Sequence, residues 1–422
     1  MPHVRKEEYV KASAEYQLEY VEVIHRHHKR TPYASNAFPE EDLPWFCDDE
    51  GLFVYGKPLP SGNISQRIYW KVYTSASNPF APIGFNGTCR YPQITREGLE
   101  DSWQHGKDLF GVYHDLLQFL PDELDDQISF RVTNNVITSQ VAGMVISAMY
   151  GQEGDLGVQV QVCQAFFRLS CSTDIIQPVS IDSLEPAYIC PTASKLFSSI
   201  GVGSTSLNWT AHLLASESLY RRLDEVSGVS QSDKAFHESW DHYFDNLSSR
   251  LCHQKPLPCS VTNSELCVTQ PDAEQVFRLG EYEYSYIYRD APRSLQASTA
   301  SYGVWVAELS RNIRNAIDRS SPVIYRHNIA HDGSISRLLS ILQIDLMVWP
   351  GMGSEVVFEV YRHRNEHFVR ILWGGSVLQS SNPTIGYADM TPIGTLLEYF
   401  DRLVGSDASK IQELCNQEVT LE

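Results

Sequence analysis

Apolar and β-favouring residues in this chain gather in short runs that end abruptly in charge. Tyr20, Val21, Val23 and Ile24 lead straight into His25-Arg26-His27-His28-Lys29-Arg30-Thr31-Pro32. Val, Ile and Tyr favour a strand and Pro32 cannot continue one, so the pattern predicts a strand whose far end carries a basic loop. Ser129-Phe130-Arg131-Val132-Thr133 predicts a second short strand, closed by Asn134 and Asn135 and followed by a helical pattern from Val136 to Tyr150. Pro322-Val323-Ile324-Tyr325 opens a third, and Ser334-Ile335-Ser336-Arg337-Leu338-Leu339 begins a helix just after His331-Asp332-Gly333. Near the end, 355–363 and 368–373 predict a hairpin around Arg364-Asn365-Glu366-His367, and Thr391-Pro392 starts a helix with proline at its first position.

Between these runs the apolar spacing is helical. Thr95 can cap a long helix whose stripe of Leu99, Trp103, Leu109, Phe110, Tyr113, Leu116 and Leu117 reads as core. A second helix is predicted from Phe236 to Leu251, with Trp240, Tyr243, Phe244 and Leu247 on one face, and Pro256 and Pro258 mark an irregular connection after it. Strands alternating with helices give the α/β class, with a central, mostly parallel sheet flanked by helices. In such sheets ligands bind at the carboxyl ends of strands, where the charged loops fall.

The loop chemistry suits phosphate. Arg26 and Arg30 carry rigid forks of donors, and His27 between them is a candidate nucleophile. Asp332 can serve as an acid; it can equally cap the helix that follows, and both roles are compatible.

Arg26-His27, Arg30 and Pro32, together with His331-Asp332, resemble the signature of the histidine acid phosphatases, branch 2 of the histidine phosphatase superfamily. The string from His25 to Asn36 is similar above all to fungal members, in which the double histidine recurs. Gln93-Ile94-Thr95, with Gly98 three residues on, resembles that family's segment before a long helix, and Arg131-Val132-Thr133 its middle strand. The chain departs from the family at His28, where glycine is usual, and at Ile137, where a second arginine often stands.

The resemblance implies two-step phosphoryl transfer through a phosphohistidine on His27. Arg26, Arg30, Arg131 and His331 would hold the phosphoryl oxygens and Asp332 would protonate the leaving group. It also implies a phosphoglycerate mutase-like core from 15–150 and 300–422, with a mainly helical cap inserted at 151–299. No cofactor is implied, and the expected partner is a small phosphate monoester with an organic or lipid-like remainder. A homodimer is compatible with this reading.

His28 could narrow the pocket or add a donor to it. His25, His27 and His327 could also be read as metal ligands. Arginines around a cation are electrostatically poor, however, and no carboxylate is spaced to join them, so no metal is expected.

Two further readings remain open. The scaffold could be repurposed for acid/base chemistry without hydrolysis in a fungal biosynthetic pathway, or the chain could be a non-catalytic binding or signalling protein.

Composition narrows the picture. With 422 residues, 42% hydrophobic and 20% charged, the chain can bury a large core. No run approaches the roughly 20 apolar residues of a membrane span. The net charge of −19 disfavours binding to nucleic acid backbones and makes a polyphosphorylated substrate less natural than a monoester.

The nine cysteines fit no zinc finger or Cys-x-x-Cys pattern, and the first residues carry no apolar signal core. The expectation is therefore a reduced, cytoplasmic protein, or a secreted one if a signal has been removed. In the secreted case Cys252, Cys259 and Cys267 are the first candidates for a disulfide. Asn63, Asn86, Asn208 and Asn246 begin glycosylation-type sequons.

Overall fold

The computed structural model describes residues 3–47, 52–55, 66–69, 77, 87–151 and 177–418. Cys163, Cys171, Asn63 and Asn86 lie outside them. The chain forms two compact units, one built from 1–28, 100–200 and 284–422, the other from 29–99 and 201–283.

The first unit is organised by a seven-stranded sheet. Its strands are β1 (Gln17–Arg26), β4 (Ile128–Val132), β5 (Tyr325–Ala330), β6 (Glu355–His363), β7 (Glu366–Trp373), β8 (Ser376–Val377) and β9 (Thr391–Pro392). The order is β4-β5-β1-β6-β7-β8, with β9 also on β7. In the second unit β2 (Leu52–Tyr55) pairs antiparallel with β3 (Gln66–Tyr69).

The sheet is mixed. β4, β5 and β1 run parallel, and the predicted C-terminal hairpin supplies the antiparallel half, turning at Arg364 with φ of 57°. The fold is α/β, as its alternating pattern requires.

The two faces of β1 bury different things. Tyr20 and Ile24 join an apolar core with Trp305, Val306, Leu309, Leu338, Leu339, Val356, Phe358 and Phe400. The helices Ser294–Ile317, Asp332–Ile341 and Ile393–Val404 supply much of it. At roughly 25 cal/mol per Å² of apolar surface removed from water, this core is the main favourable term. The opposite face carries Val21, Val23 and His25 towards the helices Arg96–Phe110 and Val136–Tyr150, and it mixes valines with buried histidines and carboxylates.

The second unit has its own core of Phe38, Leu219, Tyr220, Leu223, Trp240, Tyr243, Leu247 and Val276. The helix expected over 236–251 is broken here into Lys234–His237 and Asp241–Cys252. Asp233 caps the first piece, and the buried carboxylate of Glu283 accepts the Trp240 N–H at 2.9 Å, which begins the second. Asn246 is fully buried and donates to Asn36 O and Glu41, so its sequon is not available to a glycan in this fold.

The cysteines depart from the reduced state expected of them. Cys47–Cys89, Cys190–Cys415 and Cys259–Cys267 are disulfides, and Cys252 joins none among the described residues. No helix among the described residues is long and apolar enough to cross a membrane.

One close approach in the second unit sets the course of the basic loop. The hydroxyl of Thr95 accepts the Gly98 N–H at 3.2 Å, and a Cβ on Gly98 would lie 1.9 Å from the carbonyl oxygen of Lys29. Gly98→Ala must push that carbonyl away, at a cost of roughly 1–3 kcal/mol. Thermal unfolding of the variant should show a midpoint several degrees lower; an unchanged midpoint would contradict the packing described.

Candidate active site

The parallel register decides which residues meet. Val21 pairs with Tyr325 and Arg26 with Ala330, so β1 and β5 end side by side. Parallel strands emit their following residues from the same edge. The backbone N–H of His27 therefore donates to Ala330 O at 3.0 Å, and the rings of His27 and His331 stand edge to face with centroids 5.4 Å apart. Pairing of Val132 with Ile329 brings Thr133 to the same edge, where its hydroxyl lies 2.9 Å from His331 Nε2.

Hydrogen bonds fix the tautomer of His27. Its Nδ1 is 2.9 Å from the His28 carbonyl oxygen, which can only accept, so Nδ1 carries a proton, and in the neutral ring the lone pair is on Nε2. The Thr138 hydroxyl is within reach of two carbonyl oxygens, those of Thr133 and Asn135. That commits its proton, so the Thr133 hydroxyl donates to Thr138 and accepts from His331 Nε2–H.

Arg26 and Asp332 form a short ion pair, Nη2 to Oδ2 at 2.8 Å. Arg26 Nη1 also donates to Pro350 O at 2.7 Å. The Trp349 indole N–H donates to Asp332 Oδ2 at 3.0 Å and the Gly333 N–H to Oδ1 at 2.7 Å. Asp332 opens the helix Asp332–Ile341, where the positive end of the helix dipole favours a carboxylate.

The other predicted residues have different company. Arg131 donates to Glu308 at 2.7 Å and to Ser183 at 2.8 Å, and pairs with Asp182 at 3.3 Å. Its charge is thus met by two carboxylates. The same segment brings Glu185 Oε2 within 3.7 Å of His331 Nε2, and burial pushes the Glu185 carboxyl up. Arg30 belongs to the second unit, where it is fully buried, pairs with Asp245 at 3.0 Å and lies 4.1 Å over the Tyr33 ring.

His28, expected to shape the pocket, is 1% exposed and turns into the interior, with Nε2 at 3.0 Å from His105 Nδ1. Gly353, at φ of +75°, leaves room for that ring, since a Cβ there would stand 2.5 Å from it.

Sequence reasoning missed Thr133's partnership with His331, the carboxylates at 182, 185 and 308, Trp349 and His105. His105 left a signal, a histidine spaced with Leu109 and Val112 on an otherwise apolar helix face. The acidic residues left none.

This edge of the sheet defines the class. Two histidines, an arginine and a carboxylate stand together at its parallel strand ends. The chain belongs to the histidine phosphatase superfamily (branch 2), whose family model matches residues 17–373. It is 22% identical over 369 residues to Counting factor 60 of Dictyostelium discoideum, covering 85% of this chain and 80% of that protein. It is 23% identical over 327 residues to prostatic acid phosphatase of Mus musculus, covering 75% and 79%. Among solved structures it is similar in fold to Hafnia alvei phytase in complex with myo-inositol hexakis sulphate. That match has a TM-score of 0.61 and 12% identity, over 94% of this chain and 99% of the other. The Citrobacter braakii phytase gives a TM-score of 0.55 at 13% identity, over 94% and 98%.

Beneath the site, burial holds histidines neutral. His25 is pushed down to about 4, His105 and His327 lie well below the ordinary value, and Glu355 beside His105 is pushed up to about 8. A group depressed in the folded state stabilises above its unfolded pKa of 6.5, and that stability is lost as pH falls towards the folded value. For His25 this amounts to about 3 kcal/mol between pH 6.5 and 4. In buffer with chelator, the wild-type thermal midpoint should drop more steeply across that window than that of His25→Gln. Parallel pH profiles would refute the assignment.

Proposed function

We propose that this protein is a phosphomonoesterase working through a phosphohistidine on His27. The observation that carries the reading is the tautomer of His27. With Nδ1–H given to the His28 carbonyl, Nε2 is the nitrogen that carries the lone pair of the neutral ring, on a residue that shares its strand edge with Arg26, His331 and Asp332. An imidazole so oriented attacks phosphorus without first shedding a proton.

As the site stands, Arg26 binds Asp332. A phosphoryl group entering between them offers the guanidinium more negative charge than one carboxylate does, so Arg26 shifts to the phosphoryl oxygens and stabilises charge there. Asp332, relieved of its cation, takes up a proton more readily and delivers it to the departing alkoxide, a step worth about 10²–10⁴-fold. The same carboxylate then accepts a proton from the water that cleaves the phosphohistidine. Arg30, Arg131 and His331 are the further phosphate-binding candidates, and the mechanism asks for no metal at the phosphoryl group.

The substrate class follows from charge. Asp182, Glu185 and Glu308 surround the Arg131 and His331 side, which favours a single phosphate head on an organic or lipid-like remainder over the inositol polyanions named for the solved phytases. The three disulfides support an oxidising compartment, hence a secreted or extracellular location. A second reading, a binding protein without turnover, draws on the neutralised Arg131 and on the likeness to Counting factor 60.

The deciding measurement is phosphate release from an aryl phosphate across pH 4 to 8. The expected outcome is release that His27→Ala abolishes and Asp332→Asn lowers at least about tenfold. Full turnover by His27→Ala would overturn the phosphohistidine. Silence from folded wild-type protein at every pH would favour the binding reading.

A further inference from the structure

A layer of polar groups lies under the loop that carries His27, inside the first unit. Ring nitrogens of His25, His28 and His105 all lie within 4.8 Å of one another, and the three residues are 0–1% exposed. They come from three places: the end of β1, the loop after it and the helix Arg96–Phe110. Neighbouring imidazoles that bury this closely need something to share. His28 Nε2 and His105 Nδ1 share one proton at 3.0 Å. His25 does not join them, because its Nδ1–H is donated to the Arg26 carbonyl at 2.8 Å and its Nε2 is buried with no hydrogen-bond partner. An unpaired acceptor in a dry interior is costly.

We propose that His25, His28 and His105 form a binding site for a divalent transition-metal ion, zinc by preference, that nothing in the phosphatase chemistry requires. The donors would be Nε2 of His25, Nε2 of His28 and Nδ1 of His105. Tetrahedral zinc with nitrogen ligands at 2.0–2.1 Å sets them about 3.3 Å apart, close to the His28–His105 separation and reached from the rest by a small closure. The second layer is already of the kind that metal-bound histidines have. His105 Nε2 faces the Glu355 carboxylate at 2.9 Å, and the backbone carbonyl of Arg26 holds His25. That carboxylate arrives because β6 pairs with β1 at His25 and Glu355. His327 borders the layer, its ring 4.9 Å from that of His25 and its Nε2 also buried without a partner, and can complete the coordination sphere.

The ion would be structural. It would fasten His28, whose carbonyl orients His27, to the helix and to β1, so its effect on catalysis passes through position and not through contact with substrate.

The test is the metal content of protein purified from zinc-supplemented culture and dialysed against chelator. Wild type should retain about one zinc per chain, and His25→Gln and His105→Gln should each lower this at least about tenfold. His114→Gln, which removes a half-exposed histidine set between Asp115 and Asp122, should leave it unchanged. Should the buried variants not fold, cobalt-supplemented wild type decides alone: four-coordinate nitrogen ligation gives intense visible bands, six-coordinate surface binding does not. Wild type without stoichiometric zinc or those bands overturns the site, as does zinc undiminished in folded His25→Gln and His105→Gln.

Discussion

The parallel pairing of β1 with β5 is the constraint from which the rest descends. Its register, Val21 on Tyr325 to Arg26 on Ala330, ends both strands at one level. The residues that follow, His27 on one side and His331-Asp332 on the other, then have no choice but to emerge together. A slip of one residue would exchange the faces of β1, turning Arg26 into the polar layer and His25 towards the apolar core. The grouping of His27, His331 and Asp332 is thus a by-product of packing Tyr20 and Ile24 into one core with Trp305 and Leu339. It needs no independent force to assemble it.

Charge divides the structure in a second way. In both units arginines are already answered by acids: Arg26 by Asp332 and Arg131 by Glu308 and Asp182 in the first, Arg30 by Asp245 in the second. Each buried guanidinium is costly without a partner, so the acids secure the fold around these arginines. Any anion that binds one of these arginines must displace a carboxylate already in place.

Much of this was legible in the residues. The strand at 17–26, the motif at 26–32, the strand–helix turn at 331–333 and the C-terminal hairpin all announce themselves, because local pattern and local chemistry coincide there. What stayed hidden was non-local. Nothing around Glu308 or Asp182 marks them as partners of Arg131, since the meeting depends on how the helix Ser294–Ile317 lies on the sheet. His28 looked like a pocket residue because its neighbours in sequence are. Its ring points inward because Gly353, over 300 residues later, leaves space for it. The helix over 236–251 read as continuous because Trp240 N–H gives no hint that Glu283 will claim it. Cysteine pairing was equally silent, as spacing says little when Cys190 and Cys415 are 225 residues apart.

The position of β1 has a consequence for how the protein is made. It is synthesised well before both of its sheet neighbours, β5 and β6, which come some 300 residues later. At cellular rates of about 5–20 residues per second, β1 waits roughly 15–60 s with two open edges and a run of valine, isoleucine and tyrosine exposed. Until β5 emerges, His27 has no Ala330 carbonyl to bind and Arg26 no Asp332 to pair with. The interval before β5 and β6 arrive is when this protein is most exposed to aggregation and most in need of a chaperone's cover.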